Sequence, residues 1–256
     1  MSLFGIKIVG MKWTAFFPFL TVLPLAAQSV DRAGPLPPIP ETAVTWTATP
    51  IAVDGELREP AWTKAAVLEL SFPWNSQTGA KQKTRVRLLW DDRNLYLGYE
   101  CEDTDITAQY EKRDDPTYMD DAVEAFINPR PDQTDVYFGF EMNARAVMYD
   151  YVYFQTRYLF KRLNLEGLAL ATKISGTLNA RGDTDRGWTL EVAIPFAEFA
   201  PLAPNAPPKP GEAWALNLNR WDGVQPDRRL SMWSDSGLER AHPHNPKRFG
   251  VIRFVK

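Results

Sequence analysis

Apolar and polar side chains alternate with a period of two along most of this chain. No stretch sustains the three-and-four spacing of an amphipathic helix. Twenty-one prolines in 256 residues act in the same direction, because each removes a backbone donor and breaks a helix interior. The alternating runs are short and end in Gly, Pro, Asn or Asp, the residues that turns require. About nine or ten such runs predict an all-β chain. The expected architecture is an antiparallel β-sandwich, jelly-roll-like, forming a single domain.

Three segments precede or make up that domain. Residues 1–27 have only Lys7 and Lys12 as charges, then an apolar run from Trp13 to Ala27 ending in small residues, the pattern of an export signal. Met11 is an alternative start for it. Residues 28–44 are rich in proline and read as a linker or an edge segment. Residues 45–256 carry the sandwich. An exported protein, periplasmic or extracellular, is therefore expected, with no stable membrane insertion once the signal is cleaved.

Strand parity selects candidate site residues. From Val123 to Ile127, Val123, Ala125 and Ile127 share one face while Glu124 and Phe126 share the other. A carboxylate in mid-strand either meets water or receives a ligand. In the run Trp214–Trp221, Trp214, Leu216 and Leu218 point one way, and Asn217, Asn219 and Trp221 the other. Amides beside an indole make a poor core but suit a sugar: the indole covers an apolar C–H face and the amides bond hydroxyls. Val136, Phe138, Phe140 and Met142 form an apolar face opposite Tyr137, Glu141 and Asn143. Arg145 to Tyr151 is read as the returning strand, with Arg145 and Tyr149 on one face. Tyr153–Gly167 is read as loop or short helix, and Lys173–Leu178 and Trp188–Ile194 as strands.

Other residues have plainer readings. Asp54-Gly55 and the ARGDTDRG segment are turns, Trp62 is a core anchor, and Cys101 packs as a small apolar residue. His242 and His244 lie in a Pro-rich loop and read as turn surface. A formal charge of −3 without a basic patch argues against nucleic acid as a partner. One cysteine excludes an internal disulfide and a Cys-rich metal site.

Six segments in order give the chain a resemblance: VDGELREPAW, VRLLWDDRNLYLGYECEDTDI, DDAVEAFINP with FGFEMNARAVMYD, RGWTLEVAIPFAEF, GEAWALNLNRWDG, and SMWSDSG with HPHNPKRFGVIRF. Together they resemble the family 9 carbohydrate-binding modules, and the wider β-sandwich group that includes DOMON-type domains. The resemblance spans roughly Ile51 to Phe254. It implies that two aromatic rings sandwich a sugar of an oligo- or polysaccharide while a Glu, an Arg and an Asn bond its hydroxyls. Those roles fall on Tyr118 and Trp221, on Glu124, on Arg145 and on Asn219, with Trp233 as a further wall. Family members often carry Trp where this chain has Tyr118. The resemblance also implies structural calcium, for which Asp120 and Asp121 are the candidates. It implies non-catalytic binding that supports polysaccharide breakdown or uptake.

Two other classes stay open at this point. A glycoside hydrolase needs two carboxylates flanking a bond, and Glu124 with Glu141 or Asp120 could supply them. A haem module would need axial ligands such as Met119, Met142, Met148 or Met232. A sandwich that has lost sugar binding and meets a protein partner is a further alternative.

Overall fold

The computed structural model describes residues 30–154, 158–160 and 164–256. The expected signal, residues 1–27, lies outside them. There is no α-helix among the described residues; the helical pieces are short 3-10 turns. Thirteen strands form one continuous sheet that curls over on itself into a sandwich. In chain order they are β1 (Glu41–Trp46), β2 (Leu68–Glu69), β3 (Thr84–Trp90), β4 (Asn94–Glu102), β5 (Ala122–Asn128), β6 (Val136–Asn143) and β7 (Met148–Phe154). There follow β8 (Tyr158–Phe160), β9 (Ala169–Ser175), β10 (Gly187–Pro195), β11 (Ala213–Asp222), β12 (Arg229–Met232) and β13 (Gly250–Val255). The spatial order is β8-β7-β6-β5-β11-β13-β1-β3-β4-β10-β9.

The two layers meet through the apolar parity of each strand. Val123, Ala125 and Ile127 of β5 join Phe138 and Phe140 of β6 and Leu216 and Leu218 of β11 in one layer. They pack with Leu88, Leu97 and Val192 from the other layer in a single buried cluster. Tyr99 of β4 ties the layers directly, donating its hydroxyl to the carbonyl of Glu124 at 3.0 Å. One end of the core is an edge-to-face aromatic set. Trp90–Phe254 and Trp214–Phe254 centroids lie 5.3 and 5.2 Å apart, the geometry ring quadrupoles favour.

The segment after β1 covers the outer face of the β3-β4-β10 layer. Trp62 donates to Glu191 Oε1 at 3.0 Å, and the Asp54 and Gly55 amides donate to Glu191 Oε2 at 3.0 Å each. Trp62 is thus an anchor, and Gly55 takes the positive φ of 84° that the turn requires. Cys101 is buried.

Several sequence boundaries shift. The Pro-rich segment ends inside the sheet, since β1 begins at Glu41 and lies between β13 and β3, parallel to both. Within Tyr153–Gly167, read as loop or short helix, β7 extends to Phe154 and pairs with β8, Tyr158–Phe160, while residues 164–167 are loop and turn. The strand placed at Lys173–Leu178 is β9, Ala169–Ser175, because its partner β10 sets the register from Ser175↔Gly187 to Ala169↔Ala193.

Candidate functional site

The outward parity of β11, β5, β6 and β7 makes two rows of side chains across four strands. In the first row, Asn219 is in register with Glu124, Glu124 with Glu141, and Glu141 with Tyr149. In the second, Asn217, Phe126, Gly139 and Tyr151 follow one another. Trp221 follows Asn219 on the same face by two residues. Gly139 leaves room for its neighbour: a Cβ there would overlap the Tyr151 ring. Tyr151 therefore lies across β6 and donates its hydroxyl to Glu141 Oε1 at 2.7 Å.

Loops turn this face into a cavity of about 400 Å³, within the usual range for small-molecule sites. Glu124, Glu141, Tyr149, Tyr151 and Trp221 form its base and one wall. Tyr118 and Met119, Gln225 and Arg228, and the His242–His244 loop form the rest. Tyr118 stands edge-to-face on Tyr149, 5.8 Å between centroids, and is 38% exposed at the mouth. Arg228 lies over the Trp221 ring at 5.0 Å and donates to the carbonyls of Tyr118, Met119 and Asp120. His242 is exposed, as a turn residue would be, but His244 is half-buried. It stacks on Phe126 at 4.7 Å and on Tyr153 at 5.6 Å, and its Nδ1 shares a 2.6 Å hydrogen bond with the Tyr137 hydroxyl. The rings of β5–β7 give the loop an apolar seat that its sequence alone does not reveal.

The electrostatics follow from burial. Glu124 is 1% exposed, and burial pushes its carboxyl up to about 8; the Arg228 charge, then Asn219 and Trp221, oppose that rise. The Asn219 amide favours the ionised carboxylate, yet neither of its polar atoms reaches full hydrogen-bond geometry with any described residue. Burial, and then the neighbouring His242, push His244 down to about 3, so it is neutral.

Tyr118, Glu124 and Trp221 therefore meet at one cavity, with Asn219 beside Glu124. Two other expected site residues are elsewhere. Arg145 sits in the β6–β7 turn, where Asn143 Oδ1 accepts the amides of Arg145 and Val147 at 3.1 and 3.0 Å. Its Nε donates to the Ala108 carbonyl at 2.8 Å and its Nη1 lies 3.4 Å from Glu111, away from the cavity. The turn delays the start of β7 to Met148, so Arg145 never reaches the strand face. Trp233 packs against the sandwich core rather than lining the cavity. Glu141 and Tyr149 were visible as outward residues. Tyr151 shares the parity of Tyr149, but its reach across Gly139 to Glu141 was not visible, and Arg228 was not visible because a loop approach brings it in. Met142 and Met148 pack in the main core and Met232 in a smaller apolar cluster, which explains those methionines without an axial-ligand role.

The calcium candidates do not fit calcium, which asks for ~6–8 oxygen ligands. Asp120 accepts the Gln109 and Tyr110 amides at 2.8 and 3.1 Å and Asn143 Nδ2 at 2.8 Å. Asp121 joins Asp103 and Asp222 in a buried group whose ligand atoms lie within 4.8 Å of one another. Every carboxylate oxygen in that group already accepts a proton donor. Asp121 takes the Thr107 amide at 2.6 Å, the Thr107 hydroxyl at 2.9 Å and the Gly223 amide at 2.6 Å. Asp103 takes the Asp105 amide at 3.1 Å and the Trp188 indole at 3.2 Å. Arg220 donates to Asp103 and Asp222 at 2.8 Å each, Gln82 to Asp222 at 3.1 Å, and Arg229 pairs with Asp222. Two guanidinium groups stand among three carboxylates, where a metal ion would otherwise supply the positive charge.

A curled β-sandwich with a half-enclosed cavity of aromatic rings, carboxylates and an amide on one outer face is a small-ligand-binding module in its architecture. The chain belongs to the carbohydrate family 9 binding domain-like family, whose model matches residues 53–256. Among solved structures, a Bacteroides uniformis protein provisionally described as carbohydrate-binding shares 19% identity at a TM-score of 0.72. That match covers 85% of this chain and 100% of the other. A family 9 carbohydrate-binding module from Caldicellulosiruptor kristjanssonii, solved with cellotriose, shares 17% identity at a TM-score of 0.56, covering 84% of this chain and 93% of the other. The same source gives a glucose complex at 18% identity and a TM-score of 0.55, covering 84% and 95%. At these identities the likeness carries the fold. No curated protein sequence matches.

Proposed function

We propose that this chain binds a sugar of an oligo- or polysaccharide in the cavity between Tyr118, Trp221 and the Asn219–Glu124–Glu141–Tyr149 row. The observation that carries the reading is that row itself. It places an amide, two carboxylates and a phenol side by side on one sheet face, walled by aromatic rings. Aromatic faces cover the C–H side of a pyranose, and hydrogen bonds to the charged groups fix its orientation. The family, and the two relatives solved with cellotriose and with glucose, support the same ligand class. Binding needs no bond broken, and the module serves polysaccharide breakdown or uptake outside the cytoplasm, in keeping with the leader read in residues 1–27.

Titration calorimetry against mono- and oligosaccharides tests this. Binding of a short sugar that Trp221→Ala and Glu124→Ala abolish supports it. A folded protein that gives no heat with any sugar sinks it. One observation favours hydrolysis as a second reading: Glu124 and Glu141 oppose each other on adjacent strands. Release of product sugars during the titration, lost in either Glu→Gln variant, would move that reading ahead.

A further inference from the structure

The cavity base carries two carboxyl groups side by side, an arrangement that a neutral sugar does not call for. Glu124 and Glu141 lie in register on adjacent strands at its base. Arg228 is the permanent cation among the lining residues, and its guanidinium is engaged at the lip by the carbonyls of Tyr118, Met119 and Asp120. Desolvation lowers the pKa of both His242 and His244, the latter to about 3. Glu124 is 1% exposed and its Oε2 has no hydrogen-bond partner among the described residues. The Asn219 amide beside it has none either. Around the acids stand Tyr118, Tyr149 and Tyr151, whose hydroxyl pKa values are raised by burial first and then by the nearby Glu141 charge.

A buried carboxylate with an open oxygen takes up either a proton or a cation. Tyrosine and tryptophan faces around such a group attract ammonium ions, because the ring quadrupole is negative over its face. We propose that the preferred ligand is a sugar bearing a free amine, its ammonium group held between the Glu124 and Glu141 carboxylates and against the tyrosine wall. This inference rests on the reading of the cavity as a sugar site. The ammonium donates to Glu124 Oε2 and takes the place of the proton that burial holds there; that proton passes to solvent. The sugar ring lies toward Trp221, and the Asn219 amide meets a hydroxyl.

The test is calorimetry at pH 6.5 and fixed ionic strength with three probes: a glucosamine tetramer, its fully N-acetylated form, and cellotetraose. The glucosamine tetramer is expected to bind about tenfold or more tightly than the other two, as charge-assisted hydrogen bonds imply. In Glu124→Gln and Glu141→Gln that preference should collapse toward parity. Circular dichroism and a thermal melt would establish that both variants fold. Equal or tighter binding of cellotetraose or the acetylated tetramer by the unaltered protein overturns the inference and leaves the sugar site standing. A preference that survives both substitutions also overturns it. If no probe and no sugar of the wider panel binds, the sugar-site reading itself falls, and this inference with it.

Discussion

Gly139 is the smallest residue in the cavity row and controls the position of a large one. A methyl group there would overlap the Tyr151 ring, which has no space to retreat while its hydroxyl bonds Glu141. Gly139→Ala is expected to cost about 1–3 kcal/mol in urea unfolding and to weaken sugar binding by calorimetry. Glycine's role was hidden in the sequence, because only the cross-strand register names Tyr151 as its neighbour. Glu124, Asn219 and Trp221 were legible for the opposite reason: parity within a single strand placed them on the outer face. Arg145 fails at the same scale. Its turn is closed by Asn143, a local hydrogen-bonding choice that strand periodicity does not register.

Between elements, a buried ion network ties β11 to the start of β5 and the end of β4. Arg220 is fully buried and bonds Asp103 and Asp222, while Asp121 bonds the Gly223 amide. Arg220→Met would leave two buried carboxylates without their shared cation. We expect a loss of about 3–5 kcal/mol in denaturant unfolding. Because every aspartate oxygen is already engaged, a chelator should leave the melting temperature of the unaltered protein unchanged; a drop of several degrees would show a bound cation. Strand identities were legible wherever alternation ran for five residues or more. The places of β1 and β8 were not. β1 follows a proline-rich stretch whose composition masks a strand, and β8 spans three residues, too few to show a period.

For the whole molecule, the buried titrating groups set opposite limits on stability. Glu124 rises from 4.5 to about 8 in the fold, so its contribution is fully present below about pH 4.5 and is lost as pH climbs through 8. His244 falls from 6.5 to about 3, so its contribution is present above about pH 6.5 and is lost as pH drops toward 3. Relative to Glu124→Gln, the unaltered protein should lose stability steadily between pH 5 and pH 8. Relative to His244→Phe, it should lose stability between pH 6 and pH 3. Urea midpoints across that range check both slopes, and parallel curves would refute the assignment of either group. The sheet is joined at a place that spans the whole chain: β1 lies against β13, in register from Glu41↔Val251 to Thr45↔Val255. During synthesis, which runs from the first residue to the last, β1 must wait for the final strand before that side of it is paired. A nascent chain from which residues 250–255 have not yet emerged therefore leaves that side of β1 unpaired, however completely the strands between them have formed.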